Sequence, residues 1–380
     1  MTQFAEDLLL PQAARPRDLR LAVVGTGALG STLLQHLLQR KTRSVLLVDP
    51  ETVEARNLPL SPLLQDSFAD WLRHQPGSPL PNKAELLARA AQAQAGLPWR
   101  AIPRPIADVG WQDLSDIDLF CCCTDSVLSR AETAWIARSL SKPLLDAGVL
   151  GDGIPSGRVT LYPPTTSAAC VLCGLAEQRR AEVLGYAAST SIGCQVPESV
   201  PAMTASLDTL QQVAAATATQ IEVFASAPNL PATIAASSMR LSQSPGERWE
   251  AESFELARSL TCPWHEPPTA TLRSLPWELP LAQALPGADW QLFLHWPVCT
   301  EASCSGCGTR TRPMQRVAQV RASACPACGT RRQQPLRAVH RICAQDTWAK
   351  FSPRQLGMPD RHLYWVRISA LYRSNPEAAT

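Results

Sequence analysis

No stretch of this 380-residue chain is apolar for long enough to span a bilayer. Neither sign of charge dominates, because 35 basic residues face 33 acidic ones. The net charge of +2 argues against binding to nucleic acid or to a membrane through bulk charge. The first residues, MTQFAEDLLLPQ, lack the basic region and apolar core of a signal peptide. We therefore expect a cytoplasmic globular protein with no membrane partner and no nucleic-acid partner. No internal repeat is visible.

Cysteine, by contrast, is plentiful, with thirteen in the chain. Disulfides are rare in the cytoplasm, so most of these thiols are expected to be metal ligands, reactive groups or small core residues. Cys299 and Cys343 have no partner at metal-binding spacing and are expected to be structural.

The chain alternates between apolar β-branched runs and helical periodicity. Residues 20–49 predict a strand, a tight turn, a helix and a second strand, and the pattern continues through residues 83–149. Such alternation predicts a Rossmann-like, doubly wound α/β fold with a mainly parallel sheet. Further strands are predicted at GRVTLYPP and near residues 233–243 and 250–258, with a buried helix over 201–225. A Pro-rich linker is predicted over 267–290, followed by a Cys-rich module.

The first turn carries the sequence GTGALG, in which Gly25, Gly27 and Gly30 form G-x-G-x-x-G between a strand and a helix. Glycine allows the tight turn and a close phosphate approach, while the helix N-terminus supplies amide donors. Asp49 ends the second strand, where a carboxylate can accept hydrogen bonds from ribose hydroxyls. The loop alone favours a nicotinamide or flavin dehydrogenase, with a simple helix-packing turn as the alternative.

FCCCTDS, at residues 120–126, places three cysteines before a Thr-Asp pair. Successive strand residues point to opposite faces, so Cys121, Cys122 and Cys123 cannot share one metal. Since a parallel strand is covered on both sides, we expect these thiols to pack in the core. Asp125 should emerge at the carboxyl end of the strand.

Several ordered segments together resemble the ThiF/MoeB and ubiquitin-activating-enzyme superfamily of adenylyltransferases. VDPETVEARNLPL resembles its D-x-D-x-V-E-x-x-N-L segment, and Pro81-Asn82-Lys83 its Pro-Lys helix start. CTDS resembles its C-T-D-N, with Arg130 at the usual spacing. The resemblance covers about residues 18–266 and implies a ThiF-type adenylation domain over 1–266.

The resemblance implies that the glycine turn binds ATP, and that the enzyme adenylates the C-terminal glycine of a ubiquitin-like protein. It assigns Asn57 to the phosphate or ribose region, Lys83 to the phosphates, and Asp125 to Mg²⁺. Each residue also has a structural explanation: a turn asparagine, an exposed lysine at a helix start, and a helix N-cap aspartate.

One position departs from the family pattern. Leu60 stands where the family usually has a phosphate-contacting arginine, and Arg56 lies nearby in sequence. The family also takes an arginine from a partner subunit, which implies a homodimer. Arg15, Arg17 and Arg20 lie in the corresponding region without a recognisable motif.

Two sets of Cys-x-x-Cys or Cys-x-x-His pairs predict two Zn²⁺ sites. Cys170 and Cys173 with Cys262 and His265 resemble the family's structural zinc site, although the sequence does not prove which pairs share an ion. The second set has zinc-ribbon spacing and predicts a small module over 291–380 for partner docking. Its members are Cys304, Cys307, Cys325 and Cys328. Nucleic-acid binding is a weaker alternative, supported only by scattered arginines (Arg310, Arg312, Arg316 and Arg321).

Cys194 is the candidate nucleophile, because a superfamily cysteine near this position can accept the activated carboxylate as a thioester. A conjugating enzyme would then be a second partner. The ribbon and tail resemble those of BilD-type activating enzymes of the bacterial Bil antiphage systems. Sulfur-carrier activation and a non-catalytic scaffold that binds a ubiquitin-like protein are the alternatives.

Overall fold

The computed structural model describes residues 18–150, 154–184, 206–226, 235–244, 246–265, 270–331 and 333–368. They form two compact units. The larger unit takes the described residues of 18–107, 114–174 and 206–265. The smaller unit takes those of 108–113, 175–184 and 270–368.

The strands follow the predicted alternation and then continue into a second sheet. In chain order they are β1 (Arg20–Val24), β2 (Ser44–Val48), β3 (Arg100–Ile102), β4 (Leu119–Cys122), β5 (Leu144–Leu150), β6 (Ser156–Tyr162), β7 (Ser237–Ser242), β8 (Glu250–Glu255), β9 (Thr271–Ser274), β10 (Trp290–Cys304), β11 (Arg310–Thr311), β12 (Gln315–Arg316), β13 (Gln333–Cys343) and β14 (Leu363–Ile368).

The helices, again in chain order, are α1 (Ala28–Gln39), α2 (Pro62–His74), α3 (Lys83–Ala95), α4 (Trp111–Leu114), α5 (Val127–Ser139), α6 (Glu177–Leu184), α7 (Leu207–Ser226), α8 (Leu281–Ala284) and α9 (Val317–Ala322). None of the described helices is long and apolar enough to cross a membrane.

The larger unit is built on an eight-stranded sheet in the order β3-β2-β1-β4-β5-β6-β7-β8. The first five strands are parallel and the last three join them antiparallel. Chain order reverses between β1 and β4, which is the topological switch point where α/β sheets bind ligands. The carboxyl ends of β2, β1 and β4 therefore lie side by side at one edge. The mixed α/β, mainly parallel fold is as predicted.

Buried apolar strands and small helical residues explain the core of this unit. Leu21 and Val23 on β1 are fully buried, as are Ala214 and Ala218 on α7. The small side chains of α7 allow close packing against α1 and the sheet. The prediction of a buried helix here is confirmed from Leu207 onward, and residues 201–205 lie outside the described chain.

The cysteine triplet lies in this core. Cys121 and Cys122 have no exposed surface and Cys123 is 8% exposed. Burial raises the pKa of all three thiols, so they remain protonated. The prediction that they are packing residues is confirmed.

The smaller unit has its own sheet, in which β11, β10, β14 and β9 are successive neighbours and β12 and β13 also pair with β10. The Pro-rich passage predicted as a linker contributes β9 and α8 to this unit. Leu275, Leu281 and Leu285 from that passage are buried in its core. The leucines between the prolines supply enough apolar surface to fold the segment.

Candidate active site

The glycine turn joins β1 to α1 in a geometry that only glycine permits at two positions. Gly25 has φ +88°, and a Cβ there would lie 2.8 Å from Cγ2 of Thr124. A Cβ on Gly30 would lie 2.0 Å from the carbonyl oxygen of Gly25. Gly27 is the N-cap of α1 and has open space around it. With no side-chain cap, the first amides of α1 remain available to an anion at the sheet edge.

Asp49, predicted as a ribose-binding residue, ties this turn to the end of β2. Its Oδ2 accepts hydrogen bonds from the amide (2.6 Å) and hydroxyl (3.0 Å) of Thr26, and its Oδ1 accepts one from the amide of Glu51 (2.8 Å). Since each carboxylate oxygen can accept two hydrogen bonds, Oδ1 keeps one acceptor position. Asp49 is 5% exposed, so these hydrogen bonds are shielded from water.

Lys83 is buried, with 2% of its surface exposed, rather than an exposed lysine at a helix start. Its Nζ lies 2.6 Å from Oε2 of Glu51, which is 67% exposed. Asn82 caps α3 by accepting a hydrogen bond from the amide of Glu85, and its side-chain amide donates to the carbonyl oxygens of Asp49 and Glu51. These contacts hold the ammonium group beside the carboxyl end of β2.

Asp125 follows β4 at the same edge and is exposed. The helix cap after it is Ser126, whose hydroxyl accepts from the amide of Ser129 (3.4 Å). Asp125 is therefore not the N-cap, and the described chain gives its carboxylate no hydrogen bond. Such an exposed carboxylate is a hard-oxygen donor of the kind that Mg²⁺ prefers.

Arg130 binds a buried partner that the sequence did not single out. It forms an ion pair with Asp146 on β5, which has no exposed surface. Asp146 also forms an ion pair with Arg158 of β6, at 3.3 Å. The side chain of Arg158 is 43% exposed. Two guanidinium groups on one carboxylate leave an excess positive charge near the site. Of the three residues in this charged cluster, only Arg130 was singled out by a sequence motif.

Five residues singled out in the sequence have side chains that the structure does not describe. Cys194 lies outside the described residues, and the side chain of Asn57 is not described, nor is that of Arg56. Arg15 and Arg17 also lie outside the described residues, while Arg20 pairs with Asp116 and Asp118.

Two acidic partners were not predicted from the motifs. Glu51 pairs with Lys83, and Asp146 pairs with Arg130.

The first four-ligand cluster joins segments far apart in sequence. Sγ of Cys170 lies 3.8 Å from that of Cys173 and 3.5 Å from that of Cys262, and Nε2 of His265 lies 3.0 Å from Sγ of Cys173. Tetrahedral zinc–thiolate geometry places sulfurs about 3.8 Å apart. Nδ1 of His265 lies 2.8 Å from the carbonyl oxygen of Thr166, an arrangement that leaves Nε2 to a metal. The four residues can therefore hold zinc.

The second cluster gathers Cys304, Cys307, Cys325 and Cys328, with all ligand atoms within 4.8 Å of one another. The backbone N–H of Gly306 and the hydroxyl of Thr330 lower the pKa of the Cys304 thiol to about 6. Because metal ligation requires thiolates, this lowered pKa favours zinc. In each cluster the four ligand atoms thus lie close enough together to share one metal ion.

A family model ties this architecture to known proteins, since the ThiF family matches residues 5–251. The chain belongs to the ThiF family. Membership in this family indicates an enzyme of the ATP-using adenylyltransferase type. The interpretation of the glycine turn as part of a dehydrogenase is therefore rejected. No curated protein matches the chain.

A comparison with solved structures finds similarity to MccB at low sequence identity. Escherichia coli MccB with AMPCPP and MccA is 16% identical, with TM-score 0.44, covering 65% of this chain and 66% of that one. E. coli MccB alone is 15% identical, with TM-score 0.45 and 68% of each chain covered. The microcin C7 biosynthetic enzyme MccB with N-formylated MccA is 15% identical, with TM-score 0.43 and coverages of 65% and 67%. The chain spans about two thirds of these MccB chains.

Proposed function

We propose that this ThiF-family protein adenylates the C-terminal glycine of a ubiquitin-like protein. A carboxylate oxygen of that glycine attacks the α-phosphorus of ATP, and pyrophosphate leaves with the electron pair of the broken P–O bond. The product is an acyl-adenylate. Charge builds on the phosphates during this step, so fixed positive groups at the sheet edge stabilise it.

The observation that carries the proposal is the placement of Lys83. A buried ammonium is costly unless a partner compensates it, and Glu51, whose carboxylate pairs with Lys83 within the described part of the chain, is largely exposed. An incoming phosphate can therefore share Lys83 while Glu51 turns to solvent. The amides of α1 after Gly27 would face the same phosphates, Asp49 would reach the ribose, and Asn57 would contact one of the two groups.

Asp125 would hold Mg²⁺ at this edge. The ion would neutralise phosphate charge and orient the leaving pyrophosphate. Asp125 is exposed and is not the N-cap of α5, so its carboxylate is accessible to an ion that enters from solvent. Pyrophosphate exchange that survives Asp125→Ala would contradict this role.

ATP–pyrophosphate exchange tests the adenylation step. With a ubiquitin-like protein ending in glycine, Lys83→Met should lower the exchange rate by about 10²- to 10³-fold, as expected for loss of one fixed donor. Lys142→Met, on the loop before β5, removes an equal charge and should leave exchange unchanged. Equal rates in both variants would refute the role of Lys83.

The second step assigns Cys194 as the acyl acceptor. Its thiolate would attack the acyl carbon and AMP would leave. A cysteine of a conjugating enzyme would then take the acyl group, with Cys194 leaving as the thiol. A DTT-sensitive adduct should form on the wild type and on Cys343→Ala, but not on Cys194→Ala. We place the homodimeric enzyme in the cytoplasm, in a bacterial antiphage conjugation pathway of the Bil kind. Its domain 1–266 would be catalytic and its module 291–380 would dock partners.

A non-catalytic scaffold is favoured by one observation. Leu60, which replaces the family's arginine, packs against the apolar core of the larger unit. No positive charge thus stands at that position. Absence of pyrophosphate exchange, with retained binding of a ubiquitin-like protein, would support the scaffold. Exchange without a thioester would instead support sulfur-carrier activation.

A further inference from the structure

The net charge of the chain conceals a strong regional imbalance. Residues 301–341 contain eight arginines, no lysine and a single acidic residue, Glu301. Acidic residues outnumber basic ones by six over residues 1–269. A regional excess of this size creates a local positive potential that bulk charge does not reveal.

The two cysteine knuckles repeat the same structure and end in the same way. CSGCGTR and CPACGTR each place a glycine in the left-handed region, Gly308 at φ +75° and Gly329 at φ +72°. In both, the amide of the first cysteine donates to the carbonyl of the threonine that follows the glycine (3.0 and 2.8 Å). Arg310 and Arg331 therefore leave the two knuckles at equivalent positions, and both are exposed.

The single acidic residue does not neutralise this region. Glu301 contacts Arg310 at 3.3 Å and Arg337 at 3.9 Å, and it is 29% exposed. The two arginine side chains are 74% and 80% exposed, so most of their donors face solvent. Arg316 differs, because it is buried and paired with Asp108. We define the basic surface as the exposed Arg310, Arg312, Arg331, Arg337 and Arg341.

Aromatic rings adjoin the basic surface on the sheet. Arg341 of β13, Phe293 of β10 and Trp365 of β14 are directly opposite one another, so their side chains share a face. Phe293 and Trp365 are half-buried, and the guanidinium of Arg367 lies 4.5 Å from the Phe293 ring centroid. Rings of this kind, flanked by guanidinium groups, can stack with nucleobases.

We propose that the basic surface of the ribbon module binds nucleic acid, chiefly through its phosphates. Strands β11 and β13 flank β10, where Arg310 is opposite Ser303 and Arg337 is opposite Glu301. The Cα atoms of Arg310 and Arg337 therefore lie about 12 Å apart, and that of Arg341 lies about 14 Å further along β13. An array of this length matches a continuous polyanion better than a single carboxylate of a protein surface. Guanidinium forks also pair with phosphate in two-point geometry.

Fluorescence anisotropy of the full-length, zinc-loaded protein tests the proposal, with labelled single-stranded DNA, duplex DNA and RNA of mixed sequence as probes. Binding should weaken with salt, and Arg310→Gln and Arg337→Gln should each reduce the log–log salt slope by about one. Arg73 of the larger unit is a similarly exposed arginine, so Arg73→Gln removes the same charge and should leave the slope unchanged.

Glu301→Gln is expected to raise the affinity for nucleic acid, an effect that unfolding of the variant would not produce. Releasing Arg310 and Arg337 from their shared acid should tighten binding about two- to fivefold at low salt. The proposal is overturned if none of the three probes binds, or if Arg337→Gln and Arg73→Gln behave alike. It is also overturned if poly-glutamate displaces the oligonucleotides at equal charge concentration, because the surface would then be a docking site for acidic proteins.

Discussion

The two four-ligand clusters have nearly the same chemistry but lie in very different surroundings. In the larger unit, Cys170 and Cys262 are 92 residues apart, inside a unit with an extensive apolar core. In the ribbon, Cys304 and Cys328 are 24 residues apart, and the apolar cluster nearest in sequence has only four members. A metal at the first site would pin a fold that already has a core. At the second it would replace the core, because so small a module buries too little apolar surface.

The largest effect should therefore come from breaking the ribbon cluster. Cys325→Ser should unfold residues 304–331 locally, since structural zinc contributes folding free energy of about 10 kcal/mol or more. Limited proteolysis with mass spectrometry should show new cleavage there, together with loss of one zinc equivalent. Adenylation should persist. Protection equal to that of the wild type would mean that residues 304–331 fold without a metal at this cluster.

The equivalent change in the first cluster should be milder. Cys262→Ser should remove the other zinc equivalent and cost about 4.6 kcal/mol, by analogy with a cross-link that closes a loop of this length. The eight-stranded sheet should stay folded, which circular dichroism and denaturant unfolding would show. Global unfolding of Cys262→Ser at 25 °C would contradict the prediction that the larger unit, unlike the ribbon, stays folded without its metal.

Packing, rather than metal, should control the glycine turn. Gly30→Ala places a Cβ against the carbonyl of Gly25 and should destabilise the larger unit by about 3 kcal/mol. Gly27→Ala meets open space and should change stability by less than about 1 kcal/mol. Thermal unfolding compares the pair, and zinc content should stay constant in both. Equal melting temperatures would contradict the geometry of the turn.

The smallest effect concerns acid sensitivity in the smaller unit. Burial, with Arg316 nearby, lowers the pKa of His362 from 6.5 to about 3. Between these values the unfolded chain binds more protons, so stability should fall as pH drops below about 6.5, by about 1.4 kcal/mol per pH unit.

His362→Phe keeps an aromatic ring between Trp111 and Tyr364 while removing this titration. Denaturant unfolding at pH 7 and pH 5 should show a smaller acid loss in the variant. Cysteine protonation affects both proteins and cancels in the difference. An identical loss would show that His362 does not titrate on unfolding.

Local patterns predicted much of the fold. The strands around Leu21, Leu46 and Phe120 are apolar runs, and the glycines between β1 and α1 are where the turn needs them. Helix α2 and strand β3 were missed. The linker prediction overlooked β9 and α8, because proline content masked the leucines that fold them. The roles of Cys194 and Asn57 stay predictions.

The sequence by itself determined the short-range features: the glycine turn, both knuckle spacings, and an aspartate at the end of a buried strand. These depend on neighbouring residues and on backbone geometry that few amino acids satisfy. Only the tertiary structure decided which cysteine pairs share a site, that Lys83 is buried against Glu51, and that Asp146 holds Arg130 and Arg158. Those partners come from distant segments, and burial sets the free energy of each charge.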